Sequence, residues 1–401
     1  MATPTEAPLV EACLQTYNMR DAAINAAIRG PSTRSNAQQV QAGLAGEEIS
    51  GRLPDPTISF GVAPLSVASD NISFGLTAQI SQGLPWASVR AHQREEAAAQ
   101  TATLRATAGD NTAAAALLAA NLFDLIYLAE QGLRSVAEER EHLTQLHSSA
   151  LAMVSAGVNS TSDALQVENA MATLQVQELS WQTQIDTTRL QLEALIGDEA
   201  DLSNISSETC LPRHTESPNQ RVHPSIASAR AQVEAASHRV ALADLSSIPT
   251  PVLMGGLTNM KMNWEHAFTV GIGLSIPLPA AVSARRDRAS STHSAATFAL
   301  QWQTDRVAGE VESTRIEFER ALEEIAIIED SLIPTATRLA QVTSERVAMG
   351  RAPMAEAIQA EQGLTTARMQ LNRSVAKAWM AYSKLQRATG HFGYTYSESE
   401  Q

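Results

Sequence analysis

The sequence is poor in several things that most folds use. Its 401 residues hold two cysteines, Cys13 and Cys210, which excludes a disulfide scaffold and a four-cysteine zinc site. Aromatic residues are 4% of the chain, too few for a core built on rings. Charged residues are 18%, below the usual share of about a quarter. Basic residues are the minority, 29 Lys and Arg against 43 Asp and Glu, for a formal charge of −14. A nucleic-acid binder needs a basic face to neutralise phosphates, so that class is disfavoured. No stretch reaches 18 consecutive apolar residues, so no helical membrane span is expected; membrane strands escape such a count. The opening Met1-Ala-Thr-Pro-Thr-Glu-Ala-Pro8 lacks the basic and apolar regions of a signal peptide, and no apolar run precedes Cys13 to make it a lipidation site. There is no Walker motif, no Gly-x-Ser-x-Gly and no His-Glu-x-x-His. Gly271-Ile-Gly273 alternates without a helix-opening third glycine. These gaps weigh against an enzyme, and no cofactor is called for.

What the chain does have is alanine and an internal repeat. Gly157-Val-Asn-Ser-Thr-Ser-Asp163-Ala-Leu-Gln-Val-Glu168 aligns with Gly350-Arg-Ala-Pro-Met-Ala-Glu356-Ala-Ile-Gln-Ala-Glu361, an offset of 350 − 157 = 193. The same offset carries Pro31 to Pro224, Gln39 to Gln232, Leu192 to Leu385 and Gly197 to Gly390. Pro54-Asp-Pro56 meets Pro249-Thr-Pro251 at offset 195. A constant offset through separate segments marks a duplication, and its period is far longer than that of solenoid repeats. The halves are 1–196 and 223–391, with a polar linker at 197–222 carrying Pro212 and Pro218 and a tail at 392–401. Each half reads as a helix (19–51 and 224–247), a Pro-bounded β-hairpin (56–82 and 251–277), a very long helical run (86–155 and 280–348), a glycine turn, and a second long helix (160–196 and 353–389).

The strands are the informative elements. Ile72, Phe74, Leu76, Ala78 and Ile80 alternate with Ser73, Gly75, Thr77 and Gln79; Phe268, Val270, Ile272, Leu274 and Ile276 alternate with Thr269, Gly271, Gly273 and Ser275; and Ile58, Phe60 and Val62 alternate with Ser59 and Gly61. Such alternation suits a half-buried soluble sheet or a membrane strand, apolar to lipid and polar to a lumen. Two hairpins with no further strands favour the second. Four strands cannot close a membrane barrel, because an open edge in lipid leaves backbone groups unsatisfied. Three copies would supply 3 × 4 = 12 strands.

The helical runs point the same way. Leu118, Leu122, Leu125, Ala129, Leu133, Val136, Leu143, His147, Ala150 and Val154 follow steps of three and four, broken once between Val136 and Leu143. A run of about 70 residues reaches about 100 Å, which implies coiled-coil packing against other helices. Gly157 and Gly350 sit at the hairpin tips, where a helix must stop. Glu138, His142 and His147 read as polar helix surface, since the two histidines are five residues apart and diverge around the helix. Met260, Met262 and His266 read as loop residues between the last two strands, and Trp86 and Trp264 as candidate interface aromatics.

These residues together resemble the TolC-type outer-membrane efflux proteins over nearly the whole length. The resemblance rests on the duplication, the two Pro-bounded hairpins, the Gly-x5-acidic-x-x-Gln pattern after each long helix and the opening Leu9-Val-Glu-Ala-Cys-Leu14. Leu53-Pro-Asp-Pro-Thr-Ile-Ser-Phe60 is similar to the heavy-metal (cobalt–zinc–cadmium, copper–silver) branch. The resemblance implies a mainly helical homotrimer: an α-barrel of long coiled-coil helices in the periplasm, continuous with a shared 12-strand β-barrel in the outer membrane. It implies a passive exit duct for metal cations or drugs, partnered by a periplasmic adaptor and an inner-membrane pump. It places a periplasmic gate at Glu356, with Asp163 its repeat-mate and Gln359 where a second acid is usual. Ala352 stands where the family has an arginine. It places adaptor docking at the tips, Gly157 and Val158 in the first repeat, Gly350 and Arg351 in the second. The alternatives are a periplasmic adaptor, which normally carries one α-hairpin, and a coiled-coil scaffold.

Overall fold

The computed structural model describes residues 6–64, 74–155, 161–197, 211–212, 222–260 and 265–390. The order is α1 (Glu6–Ile28), α2 (Pro31–Ile49), β1 (Thr57–Pro64), β2 (Phe74–Gly83), α3 (Ala87–Ser155), α4 (Thr161–Ile196), α5 (Pro224–Leu245), β3 (Thr250–Met260), β4 (Glu265–Ser275), α6 (Pro279–Ile327), a π-helical turn (Ile328–Leu332), α7 (Ile333–Ala348) and α8 (Met354–Ala388).

Two expectations change. The helix expected over 19–51 is two helices, broken at Gly30-Pro31. Pro31 has no N–H to give and suits the first position of α2, while a Cβ on Gly30 would lie 2.6 Å from the carbonyl oxygen of Leu195. The run expected over 280–348 contains the π-helical turn, with Pro334 opening α7. Proline removes one i→i−4 bond and crowds the preceding carbonyl, and a wider turn absorbs both.

Repeat-mates do matching work. Pro31 and Pro224 each open a helix, and Gly197 and Gly390 each follow one with φ of 76° and 80°. Left-handed backbone of this kind is open to glycine at no steric cost.

The chain forms two compact units, each drawing on both sequence halves: 1–36, 108–223 and 306–401 in one, 37–107 and 224–305 in the other. The first unit is helical. Its larger core joins Phe123, Ile126, Leu192, Phe318, Ile325, Val375 and Trp379, and a second cluster joins Val136, Leu143, Val167, Leu174, Val347 and Met354. Of the expected α3 stripe, Leu122, Ala129, Val136, Leu143 and Ala150 are buried, whereas Leu118 is 48% exposed. The break in that stripe is filled by Glu139, which lies one step from both Val136 and Leu143 and is buried. α3 also contains an 18-residue window of mean hydropathy 1.7, long and apolar enough to cross a membrane, with 67% of that window buried inside the molecule. Its interrupted apolar sequence therefore reads as core packing, much of it through alanine.

A buried ion pair ties α1 to α3. Arg20 donates from Nε to Asp124 Oδ1 at 2.8 Å and from Nη2 to Asp124 Oδ2 at 3.2 Å. The same guanidinium donates to Ser383 on α8 and lies 4.6 Å from the ring centre of Trp379. Burial pushes the Asp124 carboxyl up from its ordinary range, against the pull of Arg20.

Candidate functional site

The second unit holds one antiparallel sheet in the order β1-β2-β3-β4. The β2–β3 pairing joins the hairpins of the two repeats, from Thr77 opposite Thr258 to Gly83 opposite Val252. Cross-strand partners share a face, so the register can be followed across the sheet. One row runs Phe60, Ala78, Leu257, Phe268; the next runs Ile58, Ile80, Gly255, Val270. This is the apolar face, and it is uncovered: Phe60 is 83% exposed, Phe268 82% and Val270 83%. The row Ser59, Gln79, Gly256, Thr269 belongs to the other, polar face. At Gly273 a Cβ would meet Met254 Cε at 2.9 Å, so glycine there makes room for a neighbouring strand's side chain.

Strands of 10 and 11 residues are about 33–36 Å long, and a tilt of about 45° brings that to about 25 Å, the height of a membrane barrel's apolar band. Among the described residues β1 and β4 each have one neighbouring strand. Trp86 is 47% exposed and donates from Nε1 to the Pro249 carbonyl at 3.0 Å, pinning the β2 exit to the β3 entry. Met262 and Trp264 lie outside the described residues.

The other predicted residues belong to the helical unit. Gly350 ends α7 with φ 68°. Its N–H donates to Val347 O at 2.9 Å and that of Arg351 to Arg346 O at 2.8 Å, the bond pattern of a Schellman cap. Nothing lies within 4 Å of a Cβ on Gly350, so backbone angle alone selects the residue. Pro353 precedes α8, and Glu356 lies in its first turn, where a carboxylate is favoured by the helix dipole. Glu356 Oε2 lies 3.5 Å from Arg346 Nη1 on α7, both side chains about half exposed. Arg351 and Gln359 are exposed. Asp163 is in the first turn of α4, half-buried. Gly157 and Val158 lie outside the described residues.

Sequence reasoning did not single out Arg346, although it supplies a cross-tip ion pair where Ala352 offers none. It also missed two groups of polar residues. Burial pushes the Glu139 carboxyl up, with Glu361 adding to the rise and a hydrogen bond from Thr365 opposing it. His92, Glu95 and His238 converge in the sheet-bearing unit. The histidines that were weighed, His142 and His147, go separate ways: His142 lies 4.0 Å from Glu361 and His147 3.3 Å from Glu168, while Glu138 pairs with Arg368.

Residues 220–391 match the family model described as outer membrane efflux protein. Over that stretch the chain is similar to the outer membrane efflux proteins. The match covers the second repeat, and the fold extends the likeness to the first. The structure superposes on the outer-membrane channel OprN with a TM-score of 0.80 at 15% identity, covering 94% of this chain and 90% of that one. CusC gives 0.77 at 14%, covering 93% and 92%. VceC from Vibrio cholerae gives 0.77 at 16%, covering 92% and 96%. No curated protein matches the sequence.

Proposed function

We propose that this protein is the exit duct of a tripartite efflux pump, a homotrimer that conducts substrate passively across periplasm and outer membrane. One observation carries the reading: a four-stranded sheet whose apolar face is exposed and whose two outer strands each lack a second neighbour among the described residues. Lipid accepts the apolar face, but not an unpaired strand edge. A second and third copy satisfy β1 and β4 and close twelve strands, an even number within the known range of membrane barrels.

The helices support the same assembly. α4 buries Ala164, Val167, Ala170, Leu174 and Leu192 against its own unit. Leu165, Val176, Leu179 and Leu190 are 59–68% exposed on it, and at about 100° per residue they lie roughly opposite the buried set. A helix apolar on both sides is a helix with a neighbour on both sides. Another copy of this chain is the occupant that the open sheet edges already require. The duplication, 1–196 and 223–391, would then give six similar helical hairpins around one axis.

In this reading the tips, Gly157–Val158 and Gly350–Arg351, meet a periplasmic adaptor, and Glu356 from three copies narrows the periplasmic end, with Asp163 and Gln359 nearby. Specificity resides in the pump, so metal cations and drugs are both within the duct's range; the Leu53–Phe60 segment favours metals. An adaptor or scaffold would have no use for an exposed apolar sheet of membrane height. The test is the mass of the detergent-solubilised protein. Three chains per particle are expected, and a stable monomer with intact β-structure would overturn the proposal.

A further inference from the structure

We propose that His92 and Glu95 on α3 and His238 on α5 form a binding site for one divalent cation of the zinc class, which clamps the two helices that adjoin β2 and β3. His92 and Glu95 are one helical turn apart, and His238 reaches them across 146 residues of sequence. The three donor atoms form a nearly equilateral triangle. His92 Nδ1 lies 3.3 Å from His238 Nδ1, and Glu95 Oε2 lies 3.2 Å from each of those nitrogens.

Hydrogen bonds fit this triangle in one arrangement only, with both imidazoles donating from Nδ1 to Glu95 Oε2. Each neutral imidazole can bring at most one proton to its Nδ1, and an ionised carboxylate brings none. Both N–H groups then converge on one oxygen and hold the two nitrogens side by side at 3.3 Å. If only one nitrogen carries a proton, a lone pair faces a lone pair along another edge. Two protonated imidazoles would set like charges together. One cation bonded to all three lone pairs, with each imidazole keeping its proton on Nε2, is the arrangement that uses all three atoms as ligands.

The edge length selects the metal. Bonds of about 2.0–2.1 Å at tetrahedral angles put neighbouring ligand atoms about 3.3–3.4 Å apart, whereas octahedral geometry at the same bond length gives about 2.9 Å. The observed 3.2–3.3 Å fits one face of a tetrahedron. Two imidazoles and a carboxylate are a zinc-type donor set, and Mg²⁺ or Ca²⁺ would want more oxygen. The fourth position opens to solvent, since the His92, Glu95 and His238 side chains retain 34%, 55% and 20% exposure. Beside the site Arg239 Nε donates to Glu96 Oε1 at 2.7 Å, so Glu96 is already engaged and Glu95 is the carboxylate free to ligate.

The inference stands apart from the transport reading, because it needs only the packing of α3 on α5. It is tested on the full chain in detergent, stripped with chelator and dialysed against Zn²⁺ at neutral pH. Metal analysis should find one Zn²⁺ per chain, and Co²⁺ in its place should show the intense visible bands of a tetrahedral site. His92→Gln and His238→Gln should each weaken Zn²⁺ binding at least about tenfold, with circular dichroism unchanged, while a His142→Gln/His147→Gln double variant should bind as the parent does. Zn²⁺ should raise the melting temperature of the parent and leave that of both single variants unmoved. Absence of stoichiometric uptake, or uptake unchanged in both single variants, would overturn the site.

Discussion

Breaking the Arg20–Asp124 pair should cost more than any other single polar change in the helical unit. Both side chains are almost fully buried, 5% and 3% exposed, and the contact is two-pronged, at 2.8 and 3.2 Å. With charge centres about 4 Å apart and an effective dielectric constant of about 20, their attraction is about 4 kcal/mol. Asp124→Asn keeps the shape and deletes the charge, leaving a guanidinium without its counter-ion among Ser383, Trp379 and the α1–α3 contact. Removing one partner of a buried pair typically costs about 3–5 kcal/mol. Taking about 2.1 cal/mol/K per residue for the entropy of unfolding, 401 residues give about 0.84 kcal/mol/K, so the melting temperature should fall by about 4–6 °C.

The double variant Arg20→Met/Asp124→Leu separates a paired-charge effect from simple packing. It removes both charges and the cost of desolvating them, so it should melt near the parent or above it. The cycle is measured by circular dichroism at the helical minimum during heating in detergent. Coupling of about 3 kcal/mol or more is expected between the two sites. If the single variants each melt within a degree of the parent, or if their losses simply add in the double, the pair does not hold α1 on α3 and the reasoning fails.

Four further outcomes follow from other parts of the chain. Val270→Arg puts a charge on the exposed apolar face and should cost about 2–4 kcal/mol at mid-membrane, seen as lost trimer in outer-membrane fractions; Gly271→Ser, with nothing within 4 Å of a Cβ, should assemble normally, and the reverse ranking would turn the sheet over. Gly350→Val must hold φ near 68° at about 1–2 kcal/mol, and should abolish export while the protein still reaches the outer membrane; normal export would remove adaptor docking from that tip. In planar bilayers Glu356→Gln should lose most of the block by divalent cations added on the periplasmic side, and Arg346→Ala, which frees the carboxylate from its partner, should deepen it; an unchanged block in both would move the constriction elsewhere. Burial, with help from Arg387 and Arg306, holds the His223 pKa below its usual 6.5 against the pull of Asp110 and Glu310, so stability should be intact above that pH and fall as pH drops through it, when the unfolded chain takes a proton that the folded one refuses; His223→Gln should flatten that slope in melting curves taken on either side of pH 6.5.

What could be read from the sequence was whatever repeats or alternates. Phe268, Val270, Ile272 and Leu274 show a face by period two, and the register carries that face across all four strands. The Gly350 turn was legible because a long apolar period stops there, and the positive φ supplies the reason. Polar residues in apolar places were not legible. Glu139 looked like a gap in the α3 stripe, and only packing shows that the gap is a buried carboxyl. Pro334 was absorbed into one long helix because its flanks are helical, and the π-helical turn that accommodates it leaves no periodic trace. His92 and His238 are solitary histidines on separate helices, and no local spacing could join them across 146 residues.

The two repeats agree where the backbone sets the terms and differ where charge does. Pro31 and Pro224, and Gly197 and Gly390, keep one residue type for one conformational task. At the same offset of 193, however, Arg346 falls on Met153 and Pro334 on Glu141, while the acid at the helix start is kept, as Glu356 and Asp163. The Arg346–Glu356 pair therefore has no ionic counterpart at the mate of Arg346, and the π-helical turn interrupts only the second of the two long runs. In the proposed trimer the Arg346–Glu356 pair recurs once per copy. A constriction built on Glu356 is therefore three-fold. Its strength then depends on how far each Glu356 is already neutralised by its own arginine, which is why the Arg346 and Glu356 variants should move the block in opposite directions.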